Sequence, residues 1–115
     1  MPLLPLQAEG AADWLAALPA DSLALLYKHS TRCGVSLDAQ DEVHAFVAAH
    51  PEVPVWQLEV PRQRPLAHDL AERLGITHQS PQVILLRGGV PVWHTSHQRI
   101  TREALAAQLA AIPPG

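Results

Sequence analysis

The sequence has one cysteine, Cys33, in 115 residues. No internal disulfide can form, and the chain reads as the product of a reducing, cytoplasmic compartment. A surplus of basic charge is also missing. Eight lysines and arginines stand against eleven acidic residues, a net charge of −3. Such a chain lacks the positive field that drives binding to phosphate backbones, so no nucleic acid is expected as a partner. No apolar run approaches the roughly 20 residues that span a bilayer, so no membrane partner is expected either. The start, Met1 to Leu6, is apolar but has no basic residue and carries two prolines, which makes a poor signal peptide. Glycine is scarce beside proline, six against eleven, and the prolines mostly fall between candidate elements.

What is present is apolar material for a core, 48% of the residues, in a chain of single-domain length. One domain is expected over 1–115, with residues 1–10 as an irregular lead-in. Ala12, Leu15 and Leu18 lie at helical spacing before Pro19. Leu23 to Tyr27 is a continuous apolar run, as in a strand covered on both faces, and polar Lys28 to Arg32 reads as a loop. From Cys33 a helical stripe of Val35, Ala39, Val43, Phe46 and Val47 runs towards Pro51. Val53 to Val60 predicts a strand with Trp56, Leu58 and Val60 on one face. Pro65 suits a first helical turn, Leu66, Leu70 and Leu74 follow on one face, and Gly75 stops the helix. Gln82 to Arg87 and Val90 to His94 flank Gly88-Gly89, a hairpin signal. Pro91 assigns the second of these strands to a sheet edge. Thr101 caps a last helix with Leu105, Leu109 and Ile112 inward.

A strand–helix–strand unit followed by a hairpin and a helix is the layout of the thioredoxin fold. The expectation is a three-layer α/β/α protein with a mixed four-stranded sheet, its first two strands parallel through a right-handed crossover.

Cys33 falls where a loop becomes a helix, and there unpaired N–H groups and the helix dipole favour a thiolate. Lys28, His29 and Arg32 precede it and add positive potential, while Gly34 permits close approach of a substrate. An isolated cysteine of unknown context is more often a small inert hydrophobe; the polar loop and the helix start reverse that here. Ser36 stands where a second cysteine would complete a C-x-x-C dithiol. Its hydroxyl either hydrogen-bonds the thiolate or satisfies nearby backbone. The seven histidines form no ligand pattern, so no metal is expected. Asp38 with Glu42, and Asp69 with Glu72, read as solvated helix faces. Trp14 and Trp93 are candidates for an interface.

Three segments together resemble a known family: Lys28-His29-Ser30-Thr31-Arg32-Cys33 with Ser36, His78-Gln79-Ser80-Pro81-Gln82-Val83, and Ser96-His97 with Ile100-Thr101. They resemble the monothiol bacilliredoxins, the YtxJ-like proteins of bacteria whose small thiol is bacillithiol, over about Leu15 to Leu109. One departure is Gly34, where the family often has proline. The resemblance implies a thioredoxin fold and thiol–disulfide exchange on S-bacillithiolated proteins, with Cys33 as the attacking thiol. A low-molecular-weight thiol, bacillithiol, serves as co-substrate and no cofactor is tightly bound. It further implies that Ser80 and Pro81, the latter after a cis peptide bond, present the substrate, and it places His29 and His97 near the thiolate. Within the class, a glutathione-dependent monothiol exchange protein is the alternative. Outside it stand a non-catalytic binding or oxidant-sensing module and a domain with an inert cysteine.

Overall fold

A computed structural model describes residues 3–6, 10–30 and 34–112. In chain order these form β1 (Leu3–Pro5), α1 (Ala11–Ala17), β2 (Leu23–Ser30), α2 (Val35–Ala49), β3 (Val55–Val60), α3 (Arg64–Leu74), β4 (Gln82–Arg87), β5 (Val90–Ser96), a short 3-10 turn (His97–Arg99) and α4 (Arg102–Ala111).

The sheet order is β1-β3-β2-β4-β5. β1 and β2 both run parallel to β3, while β4 is antiparallel to β2 and to β5. The parallel pair, the antiparallel hairpin and the edge position of Pro91 agree with the sequence reading, but the sheet has five strands among the described residues, not four. The added strand is β1, inside the segment expected to be irregular. Leu3 to Pro5 lie in register with Val55 to Gln57, and the Leu6 N–H continues the pairing to the Gln57 carbonyl at 2.8 Å. An alternating apolar pattern cannot announce a three-residue strand. What places it is the open edge of β3, whose peptide groups need partners.

Apolar side chains alternate between the two faces of the sheet. Leu25, Tyr27, Val55, Val83 and Leu85 pack under Ala39, Val43, Phe46 and Val47 of α2 and Leu105 of α4. Leu26, Leu58, Val60, Ile84 and Leu86 meet Ala11 and Trp14 of α1 and Ala67 and Leu70 of α3. Each fully buried leucine or valine contributes about 1.5–3 kcal/mol relative to an exposed one. The inward face of α1 differs from the expected one. Ala11 and Trp14 are buried while Ala12 is exposed, because Trp14 meets Trp56 edge-to-face at 6.0 Å. Trp14 is thus a core residue and not an interface candidate; Trp93 is half-buried against the α2 side.

The predicted stop of α3 holds: Gly75 has φ 68°, in the left-handed region that suits glycine. Thr101 caps α4 through its Oγ1, which accepts from the Ala104 N–H at 3.1 Å. Two carboxylates assigned to solvated faces turn out to hold elements together. Glu42 of α2 accepts from the Arg102 backbone N–H at 2.8 Å and from its guanidinium at 3.0 and 3.2 Å. Asp69 of α3 accepts from Arg73 at 3.0 Å and from the Ala11 N–H at 3.4 Å.

Candidate functional site

β2 and β3 run parallel, and their C-terminal ends lie together: His29 pairs with Glu59 and Ser30 with Val60. Cys33 follows this end of β2. Arg32 and Cys33, both expected site residues, lie outside the described residues, between Ser30 and Gly34. The expected loop from Lys28 is instead strand as far as Ser30, because both neighbouring strands continue the ladder past Tyr27. In a strand successive side chains take opposite faces, so Lys28 and His29 part company.

His29 shares the α2 side with Tyr27. The Tyr27 hydroxyl stands 2.8 Å from His29 Nδ1 and 3.4 Å from the Ser36 carbonyl oxygen. Its one proton reaches that carbonyl only if His29 Nδ1 carries its own proton and donates to Oη. That tautomer leaves Nε2 with a free lone pair. Burial pushes the Tyr27 phenol above its usual range, so it stays neutral. Burial also lowers the His29 pKa, opposed by the charge of Glu59 and helped by that of His44. Ser36 is fully buried, and its Oγ accepts from the Ser30 N–H at 3.1 Å. Of the two roles considered for Ser36, the structure shows the backbone one: the hydroxyl bridges the residues on either side of the Cys33 segment.

Gly34 precedes α2 with φ −60° and ψ −33°, ordinary helical values that need no glycine, and it is exposed. Its carbonyl accepts from the Leu37 N–H at 3.2 Å. The proline frequent in the family would also find a suitable φ here.

Lys28 faces the other way, towards α3, and is fully buried. Its Nζ lies 3.2 Å from His78 Nδ1. Burial lowers the Lys28 pKa to about 8. Below that pH the ammonium can only donate, so His78 accepts through Nδ1 and carries its proton on Nε2. The His78 pKa falls to about 4, through burial first and then the charges of Lys28, His68 and Arg64. Its ring lies 4.7 Å from that of His68 on α3. Sequence reasoning placed Lys28 beside the thiolate; the structure ties it to the connection between α3 and β4.

That connection carries Ser80 and Pro81, joined by a cis peptide bond as the resemblance implied; a second cis bond, Val60–Pro61, had no signal in the sequence. The Ser80 Oγ is shielded from solvent with no hydrogen-bond partner among the described residues. The Pro81 carbonyl accepts from the His97 N–H at 3.1 Å, which continues the β4–β5 ladder one step past Gln82 and Ser96. His97 has φ 55°, a left-handed conformation that histidine adopts more readily than bulky residues. The structure therefore brings Ser80, Pro81 and His97 together at one end of the sheet.

Three residues of this region were given no role in the sequence reading. Tyr27 follows from strand alternation with His29 once β2 is extended. His78 and Gln82 lay within a quoted segment, but only the fold shows what they bind.

With this geometry in view, comparison with solved structures defines the class as thioredoxin-fold. The chain is similar to a structure assigned as an oxidoreductase with a thioredoxin fold, at 23% identity and TM-score 0.80 over 92% of each chain. It is also similar to Chlamydomonas reinhardtii thioredoxin f2, at 18% identity and TM-score 0.73 over 98% of each chain, and to thioredoxin from Trypanosoma brucei brucei, at 13% identity and TM-score 0.72 over 95% of this chain and 88% of that one. A family model, that of the monothiol bacilliredoxin BrxC, matches residues 5–105. The chain belongs to the monothiol bacilliredoxin family and is a thiol–disulfide oxidoreductase.

Proposed function

We propose that this protein removes bacillithiol from mixed disulfides of cytoplasmic proteins through Cys33. The observation that carries the reading is the family match over residues 5–105 of a chain with one cysteine. In the first step the Cys33 thiolate attacks the bacillithiol sulfur of an S-bacillithiolated protein. The S–S bond between the target's sulfur and bacillithiol breaks as the bond from Cys33 to the bacillithiol sulfur forms, the target leaves as a thiolate and takes up a proton, and Cys33 holds bacillithiol as a mixed disulfide. No second cysteine is present to resolve it. A second bacillithiol thiolate attacks, releasing Cys33 and the symmetrical bacillithiol disulfide. Overall, one free bacillithiol thiol and the target's mixed disulfide become one target thiol and one bacillithiol disulfide; one disulfide and one thiol stand on each side, so the exchange balances without a bound cofactor.

The buried Tyr27–His29–Ser36 network supports the reading by holding the start of α2 against the end of β2, on either side of the thiol segment. The Ser80–Pro81 connection supplies a backbone edge for an extended substrate. The test is mass spectrometry of the wild type and Cys33→Ser with a bacillithiolated model protein. The wild type is expected to gain one bacillithiol on Cys33 while the target loses it, and Cys33→Ser to leave the target modified. Transfer with glutathionylated but not bacillithiolated target would replace the small thiol in this reading; no transfer with either would overturn it.

A further inference from the structure

Two polar side chains interrupt the apolar face of the sheet beneath α3. Lys28 and Gln82 are directly paired residues of β2 and β4, both are fully buried, and they continue the rows of Leu26 and Ile84 in the core on that side. Burying an amine and an amide is costly unless each is paired, and an apolar residue of similar volume in such a place is often as stable or more so. Core packing alone therefore does not account for them.

All their described side-chain hydrogen bonds go to one short segment. Lys28 Nζ meets His78 Nδ1 at 3.2 Å. Gln82 Nε2 donates to the Thr77 carbonyl at 3.1 Å, and Gln82 Oε1 accepts from the Gln79 N–H at 3.3 Å. Residues 77, 78 and 79 are thus each fastened from below, immediately before Ser80 and Pro81. The segment has no regular structure of its own, and a segment of that kind is mobile unless tied down.

We propose that Lys28 and Gln82 are positioning residues for the protein substrate: they fix the 77–79 segment so that the Ser80–Pro81 backbone is preset for an extended polypeptide. This rests on the proposed exchange reaction and deepens it by assigning recognition of the polypeptide, as distinct from the small thiol, to a buried anchor. Their side chains lie on the α3 face of the sheet, and their described hydrogen bonds all go to the 77–79 segment.

The experiment compares wild type, Lys28→Met and Gln82→Leu in steady-state turnover of a bacillithiolated protein with bacillithiol as reductant. A small aromatic disulfide serves as a second substrate that needs no polypeptide edge. Misplacing a binding segment by about 1 Å costs as much as a hundredfold. The expected result is a KM for the protein raised about tenfold in either variant, within that limit. The kcat for the protein and the rate with the small disulfide should stay within about twofold, a split that general loosening of the fold does not produce. If Lys28→Met fails to give a cooperative melt, His78→Phe takes its place, since the half-buried His78 side chain lies outside the core.

Equal KM values in folded variants of both positions would overturn the proposal while leaving the exchange reaction standing. Parallel losses with both substrates would overturn it too, because they would place the effect on the thiol or the fold. Absence of turnover in the wild type would remove the exchange reading and the proposal together. A nitrogen NMR spectrum of wild-type His78 gives a separate check: the proton is expected on Nε2, and a proton on Nδ1 at neutral pH would contradict the Lys28 contact.

Discussion

Tyr27 Oη lies 2.8 Å from His29 Nδ1 and 3.4 Å from the Ser36 carbonyl, so one buried hydroxyl joins the end of β2 to the first turn of α2. Tyr27→Phe keeps the ring and removes that joint. The variant is expected to lose about 1–3 kcal/mol, the cost of leaving buried partners unsatisfied. Urea unfolding should show a lower midpoint with an unchanged m-value.

Ser36→Ala strips the Ser30 N–H of its acceptor at 3.1 Å. A similar loss of about 1–3 kcal/mol is expected. Because Ser30 closes β2, amide exchange at Ser30 should accelerate more than at Leu25 or Leu26 in the strand's middle.

The buried ammonium of Lys28 gives stability a distinctive dependence on pH. Its folded pKa is near 8 against an ordinary 10.5, so between these values the unfolded chain binds more protons and stability rises with pH. Below about 8 the penalty is fully present. Tyr27, with its raised pKa, works the other way above pH 10, where the unfolded phenol ionises first. The clean observable is therefore the difference between wild type and Lys28→Met. That difference should slope between about pH 8 and 10.5 and be flat from 7 to 8.

His78 acts at the acid end. With a folded pKa of about 4 against 6.5, the unfolded chain takes up the proton first, and stability falls as pH drops from 6.5 to 4. Thermal melts of His78→Phe should lack this part of the acid slope.

Gly34→Ala is expected to stabilise. The backbone is already helical at φ −60°, and a Cβ there meets no described atom within 4 Å. Restricting the unfolded chain at such a site is worth about 0.4–1 kcal/mol, visible as a higher melting temperature.

The order and type of the longer elements were legible in the sequence because proline and glycine punctuate them and their apolar stripes have a clear period. The α2 stripe from Ala39 to Val47, the Gly75 stop and the Pro91 edge all reappear. Two features were not legible, for different reasons. β1 is too short to show a period and exists only because β3 has an edge to pair. The end of β2 is written in polar letters, Lys28-His29-Ser30, which read as loop when judged by hydrophobicity. Strand geometry there is imposed by the neighbours on both sides. That misreading hid the division of the site, since only on a strand do Lys28 and His29 serve opposite faces. Ser80 and Pro81 were legible through their place before a strand of the expected fold and His97 through the family resemblance, for nothing local in those residues marks them as neighbours.

The margins of the sheet bear on how the molecule avoids pairing with other chains along its edges. β5 is an outer strand whose ladder is broken between Leu85 and Leu86 and which carries Pro91, a residue with no amide proton to offer. The opposite margin is β1, three residues long. Strangers that seek a template for strand addition need an unbroken row of free donors and acceptors, and among the described residues neither flank supplies a long one. Val90 and Val92 are exposed on β5, yet they sit on a rail with its regular spacing interrupted. Under the proposed exchange reaction, an extended client would meet the end where β2, β3 and the Ser80–Pro81 segment converge and not the sides of the sheet. An encounter there can be brief and reversible, which is what a catalyst of exchange requires, instead of a growing ladder.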